Sequence, residues 1–352
     1  MTSRTLARIA PILACVLLAS CGAQPAASPN RSDARLFERA DLAMGSELKL
    51  TAWSSDEANV QKLFDQVFAR FDRLDAMMSV WRQGSDVIRL NEAAGEHPVH
   101  VAPEVLEVLE IGQKVSDWTE GKFDVTFGAL ADLWRFDDQD KDNRIPDPDE
   151  VRRRLPLINY HALILDHAAG TAFLQRKGMR AHLGGIGKGY AVEQAVKIFR
   201  DGGLQDFMIQ AGGDLYVGGT KGGQPWKLGI NDPRGPGGSS FAMIQLSNAT
   251  FSTSGDYERF FMKDGVRYHH IIDPATGQPA RLCRSVTLVS PSPVLADAVS
   301  KGVFILGPQK GMALIERLPD LEGVIVSATN EVFVSKGLKD KVTILHAPTD
   351  AP

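Results

Sequence analysis

"HLGGIGKGYAVEQA", His182 to Ala195, packs four glycines and a lysine into its first eight residues. Glycines at 184, 185, 187 and 189, with Lys188 among them, lead into apolar spacing that predicts an amphipathic helix over Tyr190 to Phe199. Glycine-rich turns at helix starts mark the phosphate sites of parallel α/β folds, so those come first. A Walker A loop requires GxxxxGK followed by Ser or Thr, whose hydroxyl binds magnesium; here Gly189 follows Lys188, and His182 stands where the first glycine belongs. A dinucleotide fingerprint requires G-x-G-x-x-G after a strand in a parallel βαβ unit, and neither spacing nor context fits. The doubly wound folds are therefore set aside. What survives is an anion site of a general kind, in which glycines admit backbone N–H groups and a helix start while Lys188 adds charge. Glycines placed only for tight packing remain the alternative.

Outward from this segment, strands and helices follow no parallel rhythm. Glu47 to Trp53 alternates as a strand does, and Glu57 to Met77 carries Val60, Leu63, Phe64, Val67, Phe68, Phe71 and Leu74 at helical spacing. Ser79 to Asn91 breaks that pattern, Ala102 to Asp117 starts a second helix, and Gly121 to Phe136 holds no simple period. Ala172 to Leu183 reads as a hairpin feeding the glycine segment. Strands are predicted within Asp206 to Gly219, Trp226 to Asp232, Ala242 to Gly255 and Ser285 to Ser292, and closing helices over Val294 to Gly307 and Gln309 to Pro319. Clustered strands with long irregular insertions predict an α+β fold, with largely antiparallel sheets and flanking helices.

At 352 residues, 43% hydrophobic and 23% charged, the composition is that of an ordinary globular chain. A formal net charge of -4 with no basic cluster argues against nucleic-acid binding, which needs a basic face to displace counterions. The N-terminus reads as a targeting segment: Arg4 and Arg8 precede an apolar stretch, Ile9 to Leu18, far shorter than the roughly 20 residues that span a bilayer. Leu18-Ala19-Ser20-Cys21-Gly22 resembles a bacterial lipobox. The expected organisation is a signal peptide over 1–20, a tether over 21–35 starting at lipidated Cys21, one domain over 36–340 and a tail over 341–352. That places the chain at a membrane on the periplasmic side, and Gly22 rather than Asp after the cysteine points to the outer membrane. With Cys15 removed and Cys21 acylated, Cys283 is left as a packed thiol and no internal disulfide is available.

Several blocks then occur in a specific order: "MGS" (Met44 to Ser46), "MSVWRQGSDVIRLN", "GKFDVTFGALADLW", the glycine segment, "GGDLYVGG", "FSTSGDYERFF", "HHIIDPATGQP" and "LADAVSKGVFILG". Together, over roughly Leu36 to Ser335, they resemble the ApbE family, the FAD:protein FMN transferases. The resemblance implies a T-fold-like architecture and a magnesium-dependent enzyme that takes FAD as substrate. It would join FMN through a phosphoester to a Ser or Thr of a partner flavoprotein, a membrane redox complex subunit or a periplasmic protein, and release AMP. Phosphoryl transfer is mostly positioning and charge neutralisation, so such a site needs cations on the diphosphate, a base near the incoming hydroxyl and a platform for the rings.

The resemblance assigns FAD contacts to Met44, Trp81, Phe123, Asp124, Lys188 and Ile272. Trp81 suits stacking on a flavin or adenine face, while Asp124 has a second use as a turn cap. Asp214, after two glycines, reads as a turn residue, and Asp256 as a carboxylate that orders its loop. His270, in the "H-x-I-D-P" position, is the candidate base, since its unperturbed pKa lies near neutrality; His269 reads as its neighbour. The family's metal pattern maps onto the carbonyl of Gly185 and onto Asp297, which is also a candidate base. The next ligand is usually a Thr one helical turn on, and here that position is Lys301. An ammonium cannot ligate a metal while protonated, so three outcomes stay open. They are a magnesium site one ligand short, a lysine partly replacing the cation, or a chain that binds FAD without transferring FMN. A second departure, His182 where the family commonly has Asp, is expected to act on turn geometry.

Two other patterns lead elsewhere. "DQDKDNRIPDPDE" begins like a calcium loop with Asp138, Asp140 and Asp142, but Asn143 replaces the turn glycine and Asp149 stands where a bidentate Glu belongs. "SELK", Ser46 to Lys49, mimics a penicillin-binding motif without its partner motifs. Two function classes remain: the transferase, with FAD pyrophosphatase activity when water replaces the acceptor, and a lipid-anchored FAD carrier.

Overall fold

The computed structural model of the chain describes residues 34–136 and 143–351. The signal peptide, Cys21, nearly all of the tether and the Asp138, Asp140 and Asp142 of the acidic loop lie outside the described residues. Eight strands make the main sheet: β1 (Arg35–Ala43), β2 (Ser46–Ser54), β3 (Phe207–Ala211), β4 (Asp214–Gly218), β5 (Ala249–Gly255), β6 (Cys283–Ser290), β7 (Glu322–Ser327) and β8 (Val332–Val334). They lie side by side in chain order, and every neighbouring pair is antiparallel. The α+β expectation is thus met by one long meander interrupted by helical insertions.

The helices are α1 (Glu57–Met78), α2 (Asp86–Glu92), α3 (Pro103–Trp118), α4 (Pro148–Arg154), α5 (Gly187–Asp201), α6 (Pro293–Leu306) and α7 (Pro308–Arg317). One face of the sheet carries α1, α5, α6 and α7, with α3 packed behind α6. In α1 the predicted stripe is buried, Val60, Phe64, Val67, Phe71 and Leu74 completely, and the Asp56 carboxylate caps its start by accepting from the Asn59 amide at 3.0 Å. The other face is covered by a three-stranded sheet (Trp226–Asn231, Ser240–Leu246 and Val342–Ile344). Strand alternation serves both cores: in β7, Ile325 enters the helical side while Val324 and Val326 enter the other.

Four features differ from the sequence reading. β1 was not anticipated: its charges at 35, 38, 39 and 41 obscure the alternation, yet it pairs with β2 along its whole length as an edge strand. Ser79 to Asn91 holds a short helix, α2, capped by the Ser85 hydroxyl accepting from Ile88 at 3.1 Å. The expected hairpin over Ala172 to Leu183 does not form. Thr171–Leu174 pairs instead with Leu163–Asp166 and Val99–His100, while Ala181 is bonded on both backbone sides by the Asn91 amide. Residues after 340 are no free tail: Val342–Ile344 extends the small sheet, and Thr349 donates its amide and hydroxyl to Asp232. Cys283 is buried and unpaired, with burial pushing its thiol up to about 12. Among the described residues no helix is long and apolar enough to cross a membrane.

Candidate active site

The glycine segment leaves the insertion at His182, whose amide donates to the Val125 carbonyl at 2.8 Å. The His182 Nδ1 then accepts from the Gly184 amide at 3.1 Å, the bond an Asp carboxylate makes two residues ahead in an Asx turn. The departure at 182 therefore preserves the turn. Helix α5 begins at Gly187, and Ile186 before it offers no side-chain acceptor to the first amides. Gly189, one residue past Lys188, has no room for a side chain: a Cβ there would lie 2.5 Å from the Asp297 Cβ and 2.6 Å from the Pro293 carbonyl. The glycines divide by position. Gly189 seats α5 on α6, while Gly184, Gly185 and Gly187 face a cavity.

That cavity, of about 1530 Å³, is lined by Met44, Trp81, Phe123, Asp124, Gly185, Lys188, His270, Ile272 and Lys301, residues drawn from six separate blocks of sequence. Met44 occupies the β1–β2 turn with φ of 48°, a left-handed conformation that Asn or Gly adopts more cheaply. Trp81 is 87% exposed at the rim. Phe123 and Ile272 are buried in the walls, and the blocks that carry them are tied together by Lys122, which donates to both Asp273 oxygens at 3.0 and 2.9 Å. Asp124 also takes its second use as a turn cap. One oxygen accepts from the Thr126 amide and hydroxyl, each at 2.7 Å, and the other from the Tyr160 amide at 3.0 Å.

His269 and His270 differ in their surroundings. His269 is buried, donating from Nε2 to the Ala280 carbonyl at 2.8 Å and accepting from the Ile271 amide at 3.3 Å. His270 lines the cavity with Nδ1 3.4 Å from the Arg259 carbonyl, which places its proton on Nδ1 and leaves Nε2 as an acceptor. Burial, then the neighbouring His269 and Arg259, pushes its pKa down to about 3. The imidazole is therefore neutral at physiological pH.

Four charges sit where α5, α6 and β4 meet. Lys188 Nζ lies 3.7 Å from an oxygen of Asp214, which is buried and accepts from the Ser252 hydroxyl. Lys301 forms an ion pair with one Asp297 oxygen, while the other accepts from the Gly189 amide at 2.7 Å. Burial pulls the Lys301 pKa down, but Asp297 and Asp214 more than offset it and hold the ammonium charged. Asp256 orders its loop as expected: Arg234 meets it with two bonds of 2.7 Å, both side chains being buried.

The comparisons with known proteins can be set against this geometry. The ApbE family pattern matches residues 44–325. The chain belongs to the ApbE family. It is 31% identical to the FAD:protein FMN transferase of Treponema pallidum, an alignment covering 96% of this chain and 95% of the relative. A FAD:protein FMN transferase of Klebsiella pneumoniae is also 31% identical, over 86% of this chain and 93% of that one. Among solved structures, the ApbE protein of Thermotoga maritima superimposes with a TM-score of 0.80 at 30% identity, covering 87% of this chain and 99% of its own. The flavin transferase ApbE of Vibrio cholerae gives 0.78 at 25% identity, over 88% and 99%.

The magnesium set that the ApbE resemblance implies does not fit these residues. Asp297 is fully buried, with one oxygen held by the Gly189 amide and the other by Lys301. Lys301 carries a proton where a ligand needs a lone pair. Gly185 alone would leave a carbonyl, and no group of three His, Cys, Asp or Glu among the described residues could hold a metal. The same burial removes Asp297 as a base, because it presents no surface to the cavity. Sequence reading missed two wall residues: Asp214, taken for a turn residue, and Arg259, which lines the cavity beside His270. Arg259 lies three residues beyond Asp256 in a block already singled out, so its signal was present but unweighted.

Proposed function

We propose that this chain is an FAD:protein FMN transferase that binds FAD in the cavity and transfers FMN to a Ser or Thr of a partner flavoprotein. The observation that carries this reading is one cavity gathering nine residues from separate ordered blocks, with an aromatic rim, cations along one wall and a neutral imidazole. Its volume exceeds the roughly 300–1000 Å³ of ordinary small-ligand pockets, as a dinucleotide requires. Lys188, Lys301 and Arg259 face the diphosphate, while Trp81, Phe123 and Met44 offer surface to the rings.

In the reaction the acceptor hydroxyl oxygen bonds to the phosphorus of the FMN half. The bond from that phosphorus to the bridging oxygen breaks, and its electron pair leaves with AMP. The hydroxyl proton passes to His270 Nε2 and from there to solvent. Burial keeps that imidazole neutral and able to accept, and makes it a weaker base than the near-neutral histidine the sequence suggested. The acceptor is a subunit of a membrane redox complex or a periplasmic flavoprotein, and lipidated Cys21 would hold the enzyme on the periplasmic side of a membrane, the outer one by the Gly22 rule.

The test incubates the full chain with FAD and a purified acceptor domain, with and without magnesium, and reads the acceptor's intact mass. Gain of one FMN unit, lost in His270→Ala, supports the reading. The presence of Lys301 favours one second reading, an FAD carrier, which predicts tight FAD binding with no mass gain until Lys301→Thr is made.

A further inference from the structure

We infer that Lys301 is the resident cation of this cavity, its ammonium clamped by Asp297 in the place where the family pattern implies a divalent metal, so that this chain binds FAD without magnesium. The inference rests on the FAD reading of the site and concerns which charge meets the diphosphate.

Three observations carry it. Residues 297 and 301 stand one turn apart on α6, on the same face. Asp297 is pinned between helices, one oxygen committed to the Gly189 amide and the other to Lys301, so in the native chain neither oxygen is left for an ion in the cavity. Lys301 is the part of this pair that reaches the cavity, its side chain 20% exposed against 0% for Asp297. Second, the arrangement is duplicated: Lys188 is backed by Asp214, which is itself held by Ser252. In both pairs the lysine is the more exposed partner, 25% against 4% and 20% against 0%, so the cavity meets the ammonium ends, which repel a dication and attract a diphosphate. Third, no cluster of metal-ligating side chains exists among the described residues to hold an ion elsewhere in the cavity.

The test measures FAD affinity of the full chain by flavin fluorescence in EDTA and in millimolar magnesium. It also counts bound Mn2+ by electron paramagnetic resonance, with and without FAD. For the native chain the expected FAD affinities agree within twofold and no Mn2+ is retained in either state. Lys301→Thr, which restores an oxygen and frees Asp297, is expected to weaken FAD at least tenfold in EDTA, to recover with magnesium and to bind one Mn2+. Lys301→Arg is expected to keep native, magnesium-independent affinity. A native chain that retains one Mn2+ with FAD, or loses tenfold in FAD affinity in EDTA, overturns the inference, and neither measurement needs a variant to fold. FAD binding under neither condition overturns instead the reading of the cavity as an FAD site, and the inference with it.

Discussion

Gly187→Ala and Gly189→Ala stand two residues apart in the first turn of α5, and the structure sends them in opposite directions. Each substitution gains about 1 kcal/mol of helix propensity at most, because alanine loses less backbone freedom than glycine on folding. At Gly187 the new methyl would sit 3.5 Å from the Met44 Cε and 3.9 Å from the Met78 Sδ, ordinary contact distances to flexible side chains. The propensity gain survives there. At Gly189 the methyl would lie 2.5 Å from the Asp297 Cβ, 2.6 Å from the Pro293 carbonyl and 3.0 Å from the Val294 Cα, all atoms fixed by α6. Relief requires α5 and α6 to part, costing about 1–3 kcal/mol in overpacking. Parting them also stretches the 2.7 Å bond to a buried carboxylate, about 1.5–3 kcal/mol more. After the propensity gain the net loss is about 1.5–5 kcal/mol, a drop in Tm of roughly 2–8 °C for a domain of this size. Urea and thermal melts of both variants check this, the urea slope verifying that unfolding stays two-state. If both variants gain stability, the glycines act through propensity alone and the helix-seating argument for Gly189 fails.

Three other outcomes follow from the geometry. Trp81→Ala should weaken FAD by about 1 kcal/mol, the worth of a stacked aromatic, with Tm unchanged because the ring is 87% exposed; flavin fluorescence titration and a melt check both. Asp256→Ala should cost about 3–5 kcal/mol in a urea melt by stranding the buried Arg234, whereas replacing both residues with apolar ones should cost much less. Burial first, then neighbouring charges and, for His269, a carbonyl contact acting the other way, leave His269 and His270 at about 4 and about 3, below the ordinary 6.5. A lowered folded pKa means stability fully present above 6.5 and lost as pH falls toward 4, because the unfolded chain then takes up protons that the folded one refuses. Urea midpoints from pH 7 to 4 should fall accordingly, and less so in His269→Asn; FMN transfer should show no limb near pH 6.5 from His270.

What could be read from the sequence follows from where the information sits. α1 and the β2 strand were legible because each buries chiefly one face, so apolar spacing records the fold directly, while α6, buried on nearly every side, shows instead as a long apolar run. β1 was not, because its one neighbour, β2, imposes the strand while its own side chains are mostly exposed. The hairpin expected over Ala172 to Leu183 failed for a related reason: its return half is held by the Asn91 side chain, a partner about 90 residues away that no local period encodes. At the site, residue types were legible and their connections were not. Asp214 read as a turn residue because two glycines precede it, yet the meander sets it across from α5, where it backs Lys188.

Position 301 shows most plainly how far one residue reaches. In sequence, Lys301 in place of threonine left a weakened metal site, a substituted cation and a lost activity equally available. In the structure the first of these meets Gly189, a residue with no side chain. By letting α5 approach α6 it delivers an amide to one Asp297 oxygen, and with Lys301 on the other the carboxylate is committed on both sides. Removing one partner from such a buried pair is far costlier than removing both. Lys301 and Asp297 are therefore expected to behave as one unit, with each single substitution more damaging than the double replacement by apolar residues. The positive end of that unit is the end that faces the cavity.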